Sequence, residues 1–344
     1  MMKKIGAVTM LVFFVGILGI ACAGFIPSAE AAKAEVVMRV GHGAAPGSAR
    51  DLGCREMERV IEEASNGRID VQIYPASQLG SGTELIQGLQ IGGMAECTLQ
   101  PSSFLGGFQP LVTLMDIPYL MPNDYENLIA IEKGPAGQAL MATMEKVGVK
   151  TLGIWHTGYK LFTANKPLNT IADFAGLKFR AMPSQILMAQ YRTVGATPVN
   201  VDFSETYNAL QTGAIDGQEN PFDTTTDMNF HEVQRYATVS NHGVLDQFVM
   251  VGKAWFDKLP PELQEAVMKG VEAGAAVTVQ KTHEAESVSR KKMMDAGVTI
   301  KELNEAEMKE WRAAFAPVRQ VYIDNYGDEA KALLELFEAE IAKQ

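Results

Sequence analysis

Twice in this chain the same order of elements recurs: an alternating apolar run, a helical run closed by glycine, a second run, a second helix and a third run. No other feature constrains the fold more, because a helix between each pair of strands makes the strands parallel and lets helices cover the sheet. In the first copy Val36–Val40 leads into the loop Gly41–Gly47 (GHGAAPG). A helix is expected over Ala49–Ser65, with Leu52, Met57, Val60 and Ile61 at helical spacing and Asn66-Gly67 as its stop. Arg68–Tyr74 alternates as a second strand. Ser81-x-x-Glu84 is a capping box that opens the next helix, Gly92-Gly93 ends it, and Met94–Leu99 is the third strand.

The second copy runs from Leu177–Arg180 (strand) through Ser184–Val194 (helix) to Pro198–Val201 (strand). Asp202-x-x-Glu205 then caps a helix to Thr212, and Ile215–Gln218 closes the set. Letters repeat as well as order: Glu84-x4-Leu89-Gln90-x-Gly92 matches Glu205-x4-Leu210-Gln211-x-Gly213, followed by acids Glu96 and Asp216. Between the copies lie an apolar segment (Leu111–Met121), a helix around Asp124–Val147 and a strand over Lys150–His156. After them come a strand at Gln247–Lys253, a long helix from Pro260-Pro261 to Ala296, and terminal helices over 303–344 around Gly327. The expected architecture is α/β, with lobe I over 35–157 plus 247–285 and lobe II over 158–246 plus 286–344.

Residues 1–34 read as an export signal: Lys3 and Lys4, an apolar run from Val8 to Cys22, and an A-x-A site at Ala29–Ala31. Gly19 stands where a lipidation signal carries leucine, which favours cleavage over a lipid anchor at Cys22 and places the chain in the periplasm. The remaining cysteines, Cys54 and Cys97, form no CxxC and are expected as buried free thiols. A net charge of −11 argues against nucleic acid or an anionic membrane surface as partner. It leaves room for a small anion in a locally positive pocket.

Open α/β sheets bind ligands at the carboxyl edge of their strands. If Ile215–Gln218 runs parallel to Leu177–Arg180, that edge presents Arg180 and Asn220 together. Spacing alone also allows a solvated arginine at a strand end and a turn asparagine before Pro221. His42, in the glycine loop, is open between ligand contact and loop polarity. Gly41-x-Gly43-x3-Gly47 is one residue off a dinucleotide fingerprint, Pro46 interrupts it, and no acid ends the second strand. The chain has no GxSxG, HExxH or Walker loop, and its five histidines include no i, i+4 pair. No cofactor, metal or catalysis is expected on these grounds. An exported enzyme acting on a small carboxylate with Glu219 and His242, or a module presenting a ligand to a sensor, stays open as a rival.

Four blocks, GRIDVQIYPASQLG, GLKFRAMPS, GATPVNVDFSETYNALQTGAIDGQENP and VSNHGVLDQFVMV, resemble the extracytoplasmic solute-binding proteins of tripartite ATP-independent periplasmic (TRAP) transporters, the DctP family. The resemblance runs from about residue 36 to the C-terminus with blocks in order. It implies a periplasmic-binding-protein fold: two α/β lobes, a hinge, an interlobe cleft and a long helix spanning both. It implies that Arg180 holds the ligand carboxylate in a bidentate pair and that Asn220 touches the same carboxylate. In the sialic-acid branch a second Arg stands where this chain has Lys160, an aromatic at Phe203 lies under the ligand, an acid falls near Gln100, and a polar residue falls near Pro183. The departures point to a smaller or less hydroxylated acid than sialic acid. With Glu219 and His242 beside them, these residues form the expected site. The partners implied are a small organic acid and the small and large membrane permease subunits, with a monomeric binding protein.

Overall fold

A computed structural model describes residues 34–344. The export signal, apart from its last residue, and Cys22 lie outside the described residues. The first half lays down strands β1 (Val36–Gly41), β2 (Ile69–Tyr74), β3 (Cys97–Pro101) and β4 (Val149–Tyr159). Then come β5 (Leu161–Ala164), β6 (Lys178–Ala181), β7 (Thr197–Asn200), β8 (Gly217–Asn220) and β9 (Tyr236–Val239). β10 (Val244–Gly252) and β11 (Thr299–Glu302) complete the set.

They form two sheets, ordered β2-β1-β3-β10-β4 and β11-β9-β5-β8-β6-β7. Within each sheet the repeated unit is parallel: β1 pairs with β2 and β3, and β6 with β7 and β8. The linking strands are antiparallel insertions. β10 crosses back to lie between β3 and β4, and β5 lies between β8 and β9. β4 runs into β5 through Lys160 alone, so one extended stretch serves both sheets.

The repeated letters have matching geometry. Leu89 and Leu210 are buried, and Gly92 and Gly213 end their helices at positive φ, 80° and 72°. Glu96 accepts a hydrogen bond from the Arg39 amide at 2.8 Å, and Asp216 accepts one from the Lys178 amide at 2.8 Å. Each acid thereby pins the opening strand of its own unit. The match breaks at the helix starts. Ser81 and Glu84 form the expected capping box, but Asp202 makes no side-chain cap. A 3-10 turn, Phe203–Glu205, precedes the Thr206–Thr212 helix there instead.

Other departures have local causes. The expected 124–147 helix is broken by Gly134-Pro135 into Tyr125–Lys133 and Pro135–Thr143, because proline cannot donate inside a helix. Strands β5, β9 and β11 were not expected: they lie outside the repeated strand–helix order that marks the equally short β6, β7 and β8. In the Ala49–Ala64 helix Leu52 is exposed, and the buried stripe is Arg50, Cys54, Met57 and Ile61. Residues 317–341, expected with lobe II, pack on both halves: Val318, Tyr322, Leu334 and Phe337 share one core with Met182, Ile186 and Leu187 of the second half and with Val149, Phe248 and Met250 of the first sheet. Cys54 and Cys97 are buried free thiols.

The 35-residue helix Pro261–Asp295 spans about 50 Å and packs on both halves. Its first part buries Leu263, Val267 and Val271 in the core under the first sheet. Further on, Met293 packs with Leu161 and Val239 of the second sheet and with Phe222 of the helix that follows β8.

Candidate ligand-binding site

The parallel pairing of Phe179 with Gly217 sets β6 beside β8 in the same direction, so Arg180 and Asn220 leave neighbouring strands toward one edge. Gly217 permits this approach: a Cβ there would lie 2.4 Å from the Thr163 carbonyl and 2.6 Å from the Phe179 ring. At that edge is a cavity lined from both sheets. From elements of the second sheet come Arg180, Met182, Phe203 and Asn220; from those of the first come Gly43, Arg50, Ser81, Gly82, Gln100 and Phe104. Apolar walls with a few convergent donors are the usual make-up of a small-molecule site.

Arg180 is buried at 2% exposure. Its Nε donates to the Val201 carbonyl at 3.0 Å, its guanidinium carbon sits 5.7 Å from the Phe203 ring centroid, and Nη2 has no partner. Burial lowers its pKa to about 10, still leaving it cationic at neutral pH. Asn220 donates to the Gln218 side-chain carbonyl. Gln100 donates to Thr98 Oγ1 at 2.9 Å, and Gln100 Oε1 closes over Gly82 so tightly that a Cβ there would lie 2.6 Å away. Ser81 and Gly82 open a ten-residue helix, whose positive end therefore borders the cavity.

Arg50 is the lining residue that sequence reasoning missed. It is 8% exposed, its Nε has no partner, and burial lowers its pKa to about 10. The signal was present in the spacing: Arg50, Cys54, Met57 and Ile61 fall at i, i+4, i+7 and i+11, so a cation ends a core stripe. A second, smaller recess shares Arg50 and Phe203 and is bordered by Asp223 and Asp227.

Four expected contacts lie elsewhere. His42 is fully buried beneath the glycine loop, with Nε2 3.4 Å from Asp51 Oδ1, and Asp51 also accepts from the Gly47 amide. Burial holds His42 below its usual pKa. Lys160, Glu219 and His242 form a closed network behind the cavity. Lys160 Nζ donates to Glu219 Oε1 at 3.0 Å, Gln190 donates to Oε2 at 2.6 Å, and His242 Nε2 lies 2.9 Å from Oε2. Ser240 Oγ is 2.8 Å from His242 Nδ1, and the imidazole stacks on Phe162 at 3.9 Å. Burial alone would raise the Glu219 pKa, but Lys160 and His242 outweigh it and hold the carboxyl far below the usual range. The Lys160 charge, expected to meet a ligand, is taken up by Glu219.

Two sheet-based halves, antiparallel linking strands, a spanning helix and a cationic cavity between them define a two-lobed solute-binding protein. The model of the bacterial extracellular solute-binding proteins of family 7, DctP, matches residues 40–325, and the chain belongs to that family. It is 35% identical over 318 residues to the C4-dicarboxylate-binding periplasmic protein DctP of Rhodobacter capsulatus, covering 91% of this chain and 94% of that one. Among solved structures it is similar to a TRAP periplasmic solute-binding protein from Desulfovibrio salexigens with bound orotic acid, at TM-score 0.87 and 34% identity, covering 89% of this chain and 99% of that one. A second such protein, from Shewanella oneidensis with bound succinate, aligns at TM-score 0.83 and 31% identity with the same coverage. The chain is thus an extracellular solute-binding protein of that family, and the relatives and structures named here are binding proteins, not enzymes.

Proposed function

We propose that this protein captures a small dicarboxylate in the periplasm and hands it to the membrane subunits of a TRAP transporter. In this reading Arg180 forms a bidentate pair with one carboxylate and Asn220 completes it. Arg50 takes the second carboxylate, and Phe203 and Phe104 enclose the carbon chain. One observation carries the proposal: two buried guanidiniums line one cavity with no protein carboxylate in ion-pair distance among the described residues. A buried charge without a partner costs several kcal/mol, and a planar fork is relieved best by two oxygens of one carboxylate. Asp202, the one acid on the cavity wall, is exposed at its rim. The names of the relatives, which include C4-dicarboxylate-binding proteins, and the succinate-bound structure support the same class. Their periplasmic designation agrees with the signal at residues 1–34.

The test is calorimetry on ligand-stripped protein with succinate, fumarate and malate against monocarboxylates of equal length. Arg180→Ala should weaken every acid by about 2–5 kcal/mol. Arg50→Gln should weaken dicarboxylates selectively and bring their affinity toward that of the monocarboxylates. Failure of all dicarboxylates to bind, or an unchanged affinity in Arg180→Ala, overturns the reading.

A further inference from the structure

We propose that Glu132, His156 and Asp246 form a binding site for one divalent transition-metal cation of the zinc type, set at the root of the strands that link the two sheets. None of the three lines the anion cavity, and the inference does not rest on what that cavity binds.

Topology brings the three together from distant parts of the chain. His156 in β4 and Asp246 in β10 are direct cross-strand partners. Glu132 comes from the Tyr125–Lys133 helix, which packs against β4. One potential ligand atom from each lies within 4.8 Å of the other two, and His156 Nδ1 is 2.7 Å from Asp246 Oδ1. All three are at least nine-tenths buried: Glu132 is 3% exposed, His156 1% and Asp246 3%. Glu132 and Asp246 also stand close enough for one carboxyl, when protonated, to donate to the other. As ionised groups Glu132 Oε1 and Asp246 Oδ2 have no donor, and His156 Nε2 has no partner.

Charge makes the arrangement incomplete as it stands. Two carboxylates share a dry site, and no lysine or arginine lies in ion-pair distance of either among the described residues. Such a pair must gain a proton or a cation, since two adjacent buried carboxylates cannot both stay ionised alone.

The donor set selects the cation. Calcium and magnesium prefer all-oxygen shells, whereas imidazole with carboxylates suits zinc and its neighbours. One nitrogen and two oxygens leave a fourth tetrahedral position for water. Ligands about 2.0–2.1 Å from a tetrahedral centre stand roughly 3.3 Å apart, so the Nδ1–Oδ1 pair need open by only a fraction of an ångström. An approach route is present: Glu132 borders a groove between the Pro135–Thr143 and Pro261–Asp295 helices, with Glu265, Glu272, Lys133 and Lys269 on its walls. On another side the Tyr125 ring meets His156 edge-on at 4.7 Å and shields the site. A cation here would tie the Tyr125–Lys133 helix to both linking strands at once.

The test uses the purified protein, stripped with a chelator, reloaded with Zn²⁺ and desalted before elemental analysis. One zinc per chain is expected, together with a rise in unfolding midpoint on reloading. Co²⁺ in its place should give the visible d–d bands of a four- or five-coordinate site. Glu132→Gln keeps shape while removing a charge, and His156→Gln removes the nitrogen ligand. Each should weaken binding by about 100-fold or more, since even neighbours of ligands cost 10–100-fold. His283→Ala, an exposed histidine on the far side of Tyr125, should leave it unchanged. No retained zinc together with a raised midpoint in Glu132→Gln would show a shared proton and overturn the proposal. Equal retention in wild type and Glu132→Gln would place the metal elsewhere and overturn it as well; that comparison stays decisive if His156→Gln does not fold.

Discussion

Buried charge in this protein is handled in two opposite ways, and the contrast separates the ligand cavity from its support. Glu219 has Lys160, His242 and Gln190 around it and is held ionised. Arg50 and Arg180 have no such partners and border the cavity. Asp223, on the recess beside Arg50, is intermediate: burial pushes its pKa up to about 7, with the Thr224 amide and Arg50 opposing. A carboxyl raised from about 4 when unfolded to about 7 when folded binds an extra proton in the folded state between those values. Its contribution to stability is therefore full below about pH 4 and is lost as pH rises through 7. His42 and His242, lowered by burial, act in the opposite sense, but they are common to wild type and variant and cancel in the difference. Asp223→Asn, free of ligand, should thus gain on wild type by about 2 kcal/mol between pH 5 and pH 8. Denaturant melts at the two pH values measure this, and a difference that does not change with pH would show that Asp223 titrates normally.

Among elements, the tightest contact is between the Ala49–Ala64 and Pro261–Asp295 helices, and glycine makes it possible. A Cβ on Gly53 would lie 2.0 Å from Thr278 Oγ1 and 2.8 Å from the Gly274 carbonyl; one on Gly274 would strike Trp155. Trp155 is locked from the other side, donating to the Val271 carbonyl at 3.0 Å. Gly53→Ala sets two effects against each other. Alanine favours a helix by about 1 kcal/mol, while overpacking costs about 1–3 kcal/mol. Thr278 can turn aside but the Gly274 backbone cannot, so a net loss is expected, read as a lower urea midpoint; a higher midpoint would mean the helices part freely. The elements legible in the sequence were those with their own periodicity or stop signals: the parallel strands, the Ser81–Glu84 box and the long helix. Strands β5, β9 and β11 were not, because they stand outside the repeated order and pair with segments far along the chain. The site divides the same way. Arg180, Asn220, Phe203 and Gln100 could be placed on one cavity from strand ends and family blocks. That Glu219 takes up the Lys160 charge, or that Asp246 faces His156, depends on cross-chain register that no local spacing encodes.

At the scale of the whole molecule, the cavity has one wall from each half, and the halves are joined by few segments. β4 continues into β5 through Lys160, residues 240–243 lead into β10, and the long helix runs along both. In the proposed binding mode a ligand touches Arg50 on one wall and Arg180 on the other and gains most when the walls are close, which would make binding and closure one equilibrium. To move such an equilibrium from 1:99 to 99:1 a ligand needs about 10⁴-fold preference for the closed form, roughly 5.5 kcal/mol. Two charge-assisted pairs made only on closure are of that order, and one is not. Stripped protein should therefore show a larger radius of gyration in solution scattering than protein saturated with succinate. Arg50→Gln, at saturating ligand, should stop short of the compact value although Arg180 still binds. A radius that is the same in all three samples would mean that the halves are already fixed in the closed arrangement and that binding proceeds without hinge motion.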